Sequence, residues 1–286
     1  MDDAPGDGQD LAALDSERPG EDCLMRILIA CESHGKTRDA FIKRGHDAVS
    51  CDLLETTAPG PHYKGDVRDI IGDGWDMMIA HPDCTYLTCS AEWAYSDGPY
   101  HQKVKPGTLV GAERREARKE AIEFFRFLLG YKKIPKRCIE NPKGAISKAI
   151  RPPNQYIHPY QHGHDASKMT GLWLEGGIPE LKPTKIILPR WVCGCGGTIN
   201  QDEYDMVGKY GCENCQGDKG PYKPRWANQT DSGQNRLTPG PNRWSIRAET
   251  YQGWSEAMAD QQRGGTRYTD SGTLRSCKQK PTGVSK

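Results

Sequence analysis

The sequence predicts an α/β fold built around a parallel sheet, with a small metal-binding insert near its carboxyl end. Short, continuous apolar runs alternate with helical patterns from residue 25 onward, which is typical of buried parallel strands joined by crossover helices. Between residues 189 and 243 aliphatic residues become scarce, and four cysteines appear in two close pairs. A chain of 286 residues is long enough for one large domain that carries such an insert.

The composition limits the classes of protein to consider. The formal net charge is +1, and a balanced total neither requires nor excludes a nucleic acid, because a basic cleft can lie within it. No stretch approaches the roughly 20 apolar residues of a membrane span. Residues 1–24 are acidic and glycine-rich, and they lack the apolar core of a signal peptide. We therefore expect a disordered leader and a cytoplasmic protein whose cysteines bind metal or perform chemistry.

The fold is expected to begin with a βαβ unit. Residues 26–30 form a continuous apolar strand, residues 31–35 a turn, and residues 37–44 a helix. A second strand over residues 48–51 is closed by Asp52. In such a unit the first turn lets backbone amides approach a ligand, and the acid accepts hydrogen bonds from ribose hydroxyls. A complete Gly-x-Gly-x-x-Gly is absent, so the pattern is compatible with an adenosine-bearing ligand without specifically indicating a dinucleotide.

The later elements complete the predicted sheet and its covering helices. A short third strand leads to Asp66. Further strands are predicted at 77–80, 137–139 and 171–174, and amphipathic helices at 112–129 and 253–262. The expected organisation is a main domain over 25–188, the insert over 189–243, a helical segment over 244–263 that completes the main domain, and a disordered tail over 264–286.

A cysteine and a glutamate are placed at the ends of two predicted strands. Cys84 follows the fourth strand in a Pro-Asp-Cys sequence, and Glu140 follows the fifth in a Glu-Asn-Pro sequence. Open α/β sheets place their chemistry at the carboxyl ends of their strands, so the thiol and the carboxylate should converge there. This pair is typical of covalent catalysis by a thiolate with an acid partner. The alternative for any single cysteine is an inert, buried side chain.

The motifs at these positions resemble those of the cytosine-5 DNA methyltransferases. In that family the nucleophile lies in a Pro-Cys loop after an apolar strand, and the next motif is Glu-Asn-Val. The counterparts here are Pro82-Asp83-Cys84 and Glu140-Asn141-Pro142. The wider chain, roughly over 25–184 and 242–262, is similar to short phage-encoded cytosine methyltransferase-like proteins, in which His-Pro-x-Cys-Thr-Tyr-Leu and Ile-Glu-Asn-Pro both occur.

The resemblance implies a Rossmann-like fold that transfers a methyl group from S-adenosyl-L-methionine to carbon 5 of cytosine in DNA, in a bacterial or phage-infected cell. Cys84 would be the nucleophile, Glu140 the acid partner, and Lys168 would stand where the family has an arginine. Asp52 would contact the ribose of the cofactor and Asp66 its adenine. The full set of expected cofactor residues is Ala30, Cys31, Glu32, Ser33, Gly35, Asp52, Asp66 and Pro82.

Three features depart from the family pattern. Asp83 adjoins the nucleophile, and an adjacent carboxylate should raise the pKa of the Cys84 thiol. The glutamine- and arginine-rich motif that the family has on a later strand is missing, and residues 163–168 stand in its place. Lys168 carries the charge of an arginine without its bidentate fork. Only residues 185–243 are available for target recognition, so we expect sequence specificity that is short, relaxed or supplied by another protein.

The four cysteines of the insert predict a structural zinc site. Cys193-x-Cys195 and Cys212-x-x-Cys215 are separated by sixteen residues, and nearby glycines permit tight turns. Four thiolates leave no open coordination position, so the metal would hold a segment with little core in its fold. The alternative is a set of unliganded thiols in a polar loop.

The insert is also where contact with DNA is expected. Basic residues there interleave with aromatic ones, a mixture suited to phosphates and unstacked bases. The residues concerned are Lys209, Tyr210, Lys219, Tyr222, Lys223, Arg225, Trp226, Arg236, Arg243 and Trp244. An equally weighted alternative is that the aromatic residues cover the hydrophobic side of the metal site.

Two other functions are compatible with the sequence. The same fold could methylate a free cytosine nucleotide or an exocyclic amine, and the amine chemistry expects an aromatic residue near the catalytic loop, where Tyr86 lies. The chain could instead be a non-catalytic, zinc-containing nucleic-acid-binding protein. Replacement of Cys84 by serine separates the methylation chemistries, because only the covalent mechanism needs its thiol.

Overall fold

The computed structural model of the chain describes residues 24–101, 103–216, 220–238, 240 and 243–262. Its centre is a seven-stranded sheet, and a separate three-stranded sheet lies in the insert. The predicted leader, apart from residue 24, and the predicted tail at 264–286 lie outside the described residues.

The main sheet consists of β1 Arg26–Ala30, β2 Asp47–Asp52, β3 His62–Lys64, β4 Met77–Ala80, β5 Lys136–Pro142, β6 Gln155–Ile157 and β7 Thr170–Glu175. Their spatial order is β3-β2-β1-β4-β5-β7-β6. Neighbours from β3 to β5 run parallel, whereas β7 runs antiparallel to both β5 and β6. The mixed α/β fold is thus mostly parallel and compatible with a Rossmann-like sheet, whose switch point lies between β1 and β4.

The described helices are α1 Lys36–Ile42, α2 Val67–Ile70, α3 Gly111–Gly130, α4 Ile146–Ala149, α5 Gln201–Val207, α6 Arg243–Ala248 and α7 Gln252–Gln261. Short 3-10 helices occupy Glu92–Tyr95, Pro159–Gln161 and Gly208–Tyr210. No helix in the described part of the chain combines the length and the apolar surface that crossing a bilayer requires.

The hydrophobic core lies on both faces of the main sheet. Ile27 and Ile29 of β1 pack with residues of α1 and α7, such as Trp254, while Leu28 packs on the opposite face with Phe125 of α3. This alternation follows from the two-residue period of a strand. The apolar run that predicted β1 is therefore buried on both sides, as expected for a parallel strand under two helical layers.

The structure changes one predicted boundary that matters for the site. The fifth strand, predicted over 137–139, continues to Pro142, because its last residues pair with β7 and Pro142 lies opposite Thr170. Glu140 is therefore part of β5 and does not follow it. The fourth strand has the predicted bounds, and α1 ends at Ile42, two residues earlier than predicted.

The insert contains a small antiparallel sheet in the order β10-β8-β9, built from β8 Arg190–Val192, β9 Thr198–Ile199 and β10 Lys223–Arg225. Its buried cluster consists mainly of cysteines and aromatic rings: Cys193, Cys212 and Tyr222, with Trp191, Ile199, Tyr204 and Cys215 packed against them. Such a cluster is much smaller than the core of an independently stable domain.

Candidate active site and metal centre

The carboxyl ends of β1, β4 and β5 meet at one edge of the main sheet. Ala30 lies opposite Ala80, which in turn lies opposite Ile139. The residues that follow, among them His81 and Glu140, are therefore neighbours. The backbone N–H of His81 donates to the Ala30 carbonyl at 2.9 Å, which joins β1 and β4 at this edge. The switch point, where α/β sheets bind ligands, lies at the same place.

The loop that carries Cys84 is braced by the neighbouring strand. The side-chain amide of Asn141 donates to the carbonyl of buried Pro82 at 2.9 Å. The Cys84 carbonyl accepts from the backbone N–H groups of Leu87 at 3.0 Å and Thr88 at 3.1 Å, which closes a tight turn. The Cys84 side chain is partly exposed there. The thiol is thus held at the sheet edge, on a residue that is neither fully buried nor fully exposed.

Glu140 is buried beside this loop, and one of its two carboxylate oxygens has a hydrogen-bond partner. Its Oε2 atom lies 3.2 Å from Nδ1 of His81. Its Oε1 atom is buried and has no hydrogen-bond partner in the described part of the chain. Burying an acceptor without a donor is costly, so this atom marks a position for an N–H or O–H group of a ligand.

Glu140 is ionised although it is buried. Burial alone would raise its pKa, but the charge of Lys168 and the interactions with His81 and the Thr170 side chain outweigh burial. The pKa of Glu140 therefore lies below its usual value. The predicted acid partner is therefore a carboxylate in the ligand-free protein at neutral pH. It accepts hydrogen bonds, and it can share a proton that a ligand brings.

Lys168 supplies positive charge at the same place. It lies in the loop before β7, where Nζ donates to the Arg247 carbonyl at 3.4 Å and lies 5.9 Å from the centre of the Trp254 ring. Its charge acts on both Cys84 and Glu140. The structure therefore brings the three predicted catalytic residues together.

The Cys84 thiol has a raised pKa. Burial is the largest cause, the charges of Glu140 and Asp83 add to it, and Lys168 and Arg247 oppose it. The effect of Asp83 has the predicted direction. At neutral pH the thiol is thus mostly protonated in the ligand-free protein. A change of charge at any of these four residues alters the fraction of Cys84 that is present as thiolate.

The turn after β1, the predicted cofactor loop, is ordered by a buried acid. Cys31 has φ 59° and Gly35 has φ 70°, so both lie in the left-handed region. The Glu32 carboxylate accepts from the backbone N–H groups of Thr37 at 2.7 Å and Arg38 at 3.2 Å. Glu32 therefore satisfies donors at the start of α1 that have no partner within the helix.

Aspartates from three strand ends surround this turn. Burial is the largest cause of the raised pKa of Cys31. The charge of Asp52 adds to it, as do the smaller effects of groups that include Asp66 and Asp83, so all three acids act on this turn. Asp52 accepts a backbone hydrogen bond through Oδ1 at 2.9 Å. Asp66 caps α2 and pairs with Arg68, at 2.9 and 2.7 Å, through its two oxygens. The predicted ribose and adenine contacts thus belong to one acidic region.

Two site residues are not predicted as such by the sequence. His81 is given no catalytic or binding role by the sequence, whereas its ring contacts Glu140. Asn141 braces Pro82. The signal that could have found them is positional, because each is adjacent to a strand end or a residue already assigned to the site.

The four cysteines of the insert converge as predicted. Their Sγ atoms all lie within 4.8 Å of one another, and the Cys193–Cys215 and Cys195–Cys212 pairs are each 3.5 Å apart. These distances far exceed the about 2.05 Å of a disulfide bond. They approach the ~3.8 Å between sulfurs that are held tetrahedrally by zinc at about 2.3 Å. The cluster is a candidate metal centre with four sulfur ligands.

The aromatic residues of the insert have different surroundings. Tyr222 is 8% exposed and packs against the cysteines, as the alternative to DNA contact expects. Trp226 stacks on Tyr160 of the main domain, with ring centroids 4.2 Å apart. Tyr210 is 77% exposed. Of these three rings, Tyr210 is the most exposed to solvent.

Some of the basic residues that the sequence assigns to DNA contact have structural partners. Nε of Arg225 donates to the Asp231 carbonyl at 2.9 Å, and Nε of Arg236 donates to the Gln229 carbonyl at 2.7 Å. Both side chains therefore order the loop that follows β10. Lys219 and the side chains of Lys209 and Trp244 lie outside the described residues.

The site thus combines a thiol, a carboxylate and an ammonium group at one sheet edge, beside the acidic region of the predicted cofactor site. The cysteine cluster lies in a separate, smaller sheet. No protein-family model matches the chain, and no curated protein matches its sequence.

Proposed function

We propose that the protein is a DNA methyltransferase that transfers a methyl group from S-adenosyl-L-methionine to carbon 5 of cytosine. The observation that carries the proposal is the buried, unpartnered Oε1 atom of Glu140 at the edge that also holds Cys84. The Watson–Crick edge of cytosine offers an amino N–H and, when protonated, a ring N–H beside it. A carboxylate that accepts from this edge would leave carbon 6 of the ring for the thiol.

The two side chains have separate tasks in this chemistry. Carbon 5 of cytosine is a poor nucleophile until a group adds to carbon 6. The Cys84 sulfur bonds to carbon 6 as the thiol gives up its proton, and the electrons of the 5–6 double bond move toward the ring nitrogen. That nitrogen gains one proton, which balances the one lost by Cys84, and Glu140 accepts a hydrogen bond from it. Carbon 5 of the resulting enamine is nucleophilic. Loss of the carbon 5 proton after methylation restores the double bond and releases Cys84 as a thiolate.

The residues beside β1 and β2 fit a cationic, adenosine-bearing cofactor. When bound, S-adenosyl-L-methionine supplies an electrophilic methyl group on a sulfonium. The acidic region of Asp52, Asp66 and Asp83 suits its positive charges. Asp52 uses one carboxylate oxygen within its own loop, which leaves the other for a ribose hydroxyl. Asp66 accepts one hydrogen bond from Arg68 on each oxygen, and each oxygen keeps a second acceptor site for a contact with adenine.

DNA is favoured as the substrate by the positive charge around the thiol. Lys168 and exposed Arg247 both act on Cys84. Cations at this position suit the phosphates on either side of a target nucleotide. A cytosine within a duplex must be flipped out of the stack to reach the thiol, and an accessible turn at the sheet edge can receive it.

Methylation of an exocyclic amine is less well supported. That chemistry would use Tyr86 as a stacking platform near the site. The guanidinium of buried Arg114 lies 5.3 Å from the centre of the Tyr86 ring. This contact engages the ring with α3, and the covalent chemistry of Cys84 does not need it.

We also propose that the cysteine cluster binds zinc with a structural role. Four thiolates in tetrahedral geometry are typical of structural zinc sites. The cysteines come from both ends of the segment that contains β9 and α5. A metal bound to all four would join these ends, and with four protein ligands it would have no open position for catalysis.

A covalent trap tests the reaction. The protein is incubated with S-adenosyl-L-methionine and mixed-sequence duplexes that contain 5-fluorocytosine, whose fluorine blocks the elimination step. We expect mass spectrometry to find the adduct on the Cys84 peptide. Cys84→Ser should give none, while Cys89→Ser, which changes an exposed cysteine of the same loop, should behave as the unmodified protein.

Nucleoside analysis of unmodified DNA after incubation with labelled cofactor separates the alternatives. We expect 5-methylcytosine. N4-methylcytosine, or continued turnover by Cys84→Ser, would show that an exocyclic amine is the target. Methylation of a free cytosine nucleotide but not of DNA would show a nucleotide-modifying enzyme. Binding of DNA without binding of the cofactor in calorimetry would show a non-catalytic protein.

A further inference from the structure

The insert holds the loop that carries Lys168. We name residues 158–168, between β6 and β7, the Lys168 loop. Within it, the backbone N–H of Ser167 donates to Oδ1 of Asn228 at 2.9 Å, and Nδ2 of Asn228 donates to the Ser167 carbonyl at 3.0 Å. One side-chain amide thus satisfies both backbone groups of a single residue, as a neighbouring strand would.

Other contacts surround this pair. The rings of Trp226 and Tyr160 are 4.2 Å apart and inclined by 12°. The backbone N–H of Ala227 donates to the Asp165 carboxylate at 2.8 Å. Three consecutive residues of the insert, 226–228, therefore contact the Lys168 loop at three points, which fixes the position of the loop relative to the insert.

We infer that Asn228 is a positioning residue of the active site: by fixing the backbone of Ser167, it holds the ammonium group of the next residue, Lys168, beside Cys84 and Glu140. The role of this position in catalysis rests on the proposed function. It makes the insert a structural part of the site, since the side chain that orders a catalytic loop comes from the segment after β10.

The chemistry of the amide explains why asparagine suits this position. Asparagine presents one acceptor and two donors on a short side chain, so it can pair with an N–H and a carbonyl of the same residue. Aspartate would keep the acceptor, but it would repel the Ser167 carbonyl. Alanine would remove both hydrogen bonds from a partly buried contact.

The reactivity of Cys84 reports the position of Lys168. The charged groups that act on the thiol are Asp83 from its own loop, Glu140 from β5, Lys168 from the Lys168 loop and Arg247 from α6. Lys168 favours the thiolate, so displacement of its ammonium group should raise the pKa of Cys84. This readout needs neither cofactor nor DNA.

The test measures alkylation of the Cys84 peptide by iodoacetamide as a function of pH. Asn228→Ala should move the profile to higher pH and slow alkylation at pH 8 by about two- to fivefold, the range of a partly exposed charge interaction. Lys168→Met should do the same. The double variant should resemble Lys168→Met alone, because Asn228 acts through Lys168. Asn235→Ala removes a hydrogen bond to Leu237 within the same insert and should leave the profile unchanged.

Two results would overturn the inference. One is a profile of Asn228→Ala that matches the unmodified protein. The other is an equally large effect of Asn228→Ala when Lys168 is already methionine, which would indicate general loosening of the fold. Asn228→Asp, which keeps the hydrogen bond from the Ser167 N–H, provides a second variant should the alanine variant fold poorly, and it too should move the profile to higher pH. A shifted profile in a protein that does not methylate DNA would support the positioning role and contradict the proposed function.

Discussion

At the scale of single residues, opposing charges control Cys84. Burial raises its pKa most, Glu140 and Asp83 add to that effect, and Lys168 and Arg247 counteract it. Pairing of Glu140 with a protonated ring would neutralise one of the charges that disfavour the thiolate. In the proposed reaction, this arrangement would couple recognition of the base to activation of Cys84, because the same carboxylate would take part in both.

Asp83→Asn should make Cys84 more reactive. The variant removes a charge that raises the thiol pKa, and it keeps the oxygen that accepts from the Thr85 N–H at 2.9 Å and from the Thr85 hydroxyl at 2.7 Å. The Cys84 pKa should fall, so the thiolate should persist to lower pH. We expect alkylation of the Cys84 peptide at pH 8 to accelerate about two- to fivefold, with the pH profile moved to lower pH.

The control is Asp73→Asn. Asp73 is an exposed acid in the turn before β4, at the opposite end of the main sheet, and its removal should leave the Cys84 profile in place. If Asp83→Asn left the profile where it was, or moved it to higher pH, the charge balance described for the thiol would be wrong.

At the scale of elements, the strands that are buried on both faces are the ones that the sequence predicts well. β1 and β4 are short apolar runs, and both have the predicted bounds. The predicted fifth strand ends at Ile139, where polar residues begin, but its pairing with β7 continues to Pro142. Long-range pairing decides where this strand ends, and no local pattern reports it.

In the candidate site, too, local patterns predict some features, whereas others depend on contacts between distant segments. Cys84 and Glu140 are predictable because both lie at strand ends, and the topology of an α/β sheet brings such ends together. The His81–Glu140 contact and the Asn228–Ser167 pair join segments that are 59 and 61 residues apart in the chain. Contacts of this kind depend on the path of the chain between the two segments. The sequence around either residue does not predict that path.

Glu32→Ala should destabilise the protein through α1. The substitution leaves the buried backbone N–H groups of Thr37 and Arg38 without their acceptor. We expect the free energy of unfolding, measured with urea, to fall by about 1–3 kcal/mol. Glu55→Ala removes an exposed carboxylate and should leave the free energy of unfolding nearly unchanged. An equally small change for Glu32→Ala would contradict the capping role.

At the scale of the whole molecule, the insert and the main domain form one connected structure. The insert has its own sheet and its own cysteine cluster, and its residues 226–228 contact the Lys168 loop. The stability of the insert therefore matters for the geometry of the candidate active site. Because its buried cluster is small and consists mainly of cysteines and aromatic rings, a metal ion held by the four cysteines would supply a large part of that stability.

The purified protein should contain one zinc ion per chain, and removal of the zinc should unfold the insert while the main sheet stays folded. Zinc contributes on the order of 10 kcal/mol to small four-ligand sites, more than a segment with so little apolar core can replace. After chelation, hydrogen exchange should increase over residues 190–225, whereas the amides of β1 and β4 should keep their protection. Cys212→Ser should lower the zinc content measured by elemental analysis, and Cys89→Ser, outside the cluster, should not. A full zinc content in Cys212→Ser, or unchanged exchange in the insert after chelation, would exclude a structural zinc at these four cysteines.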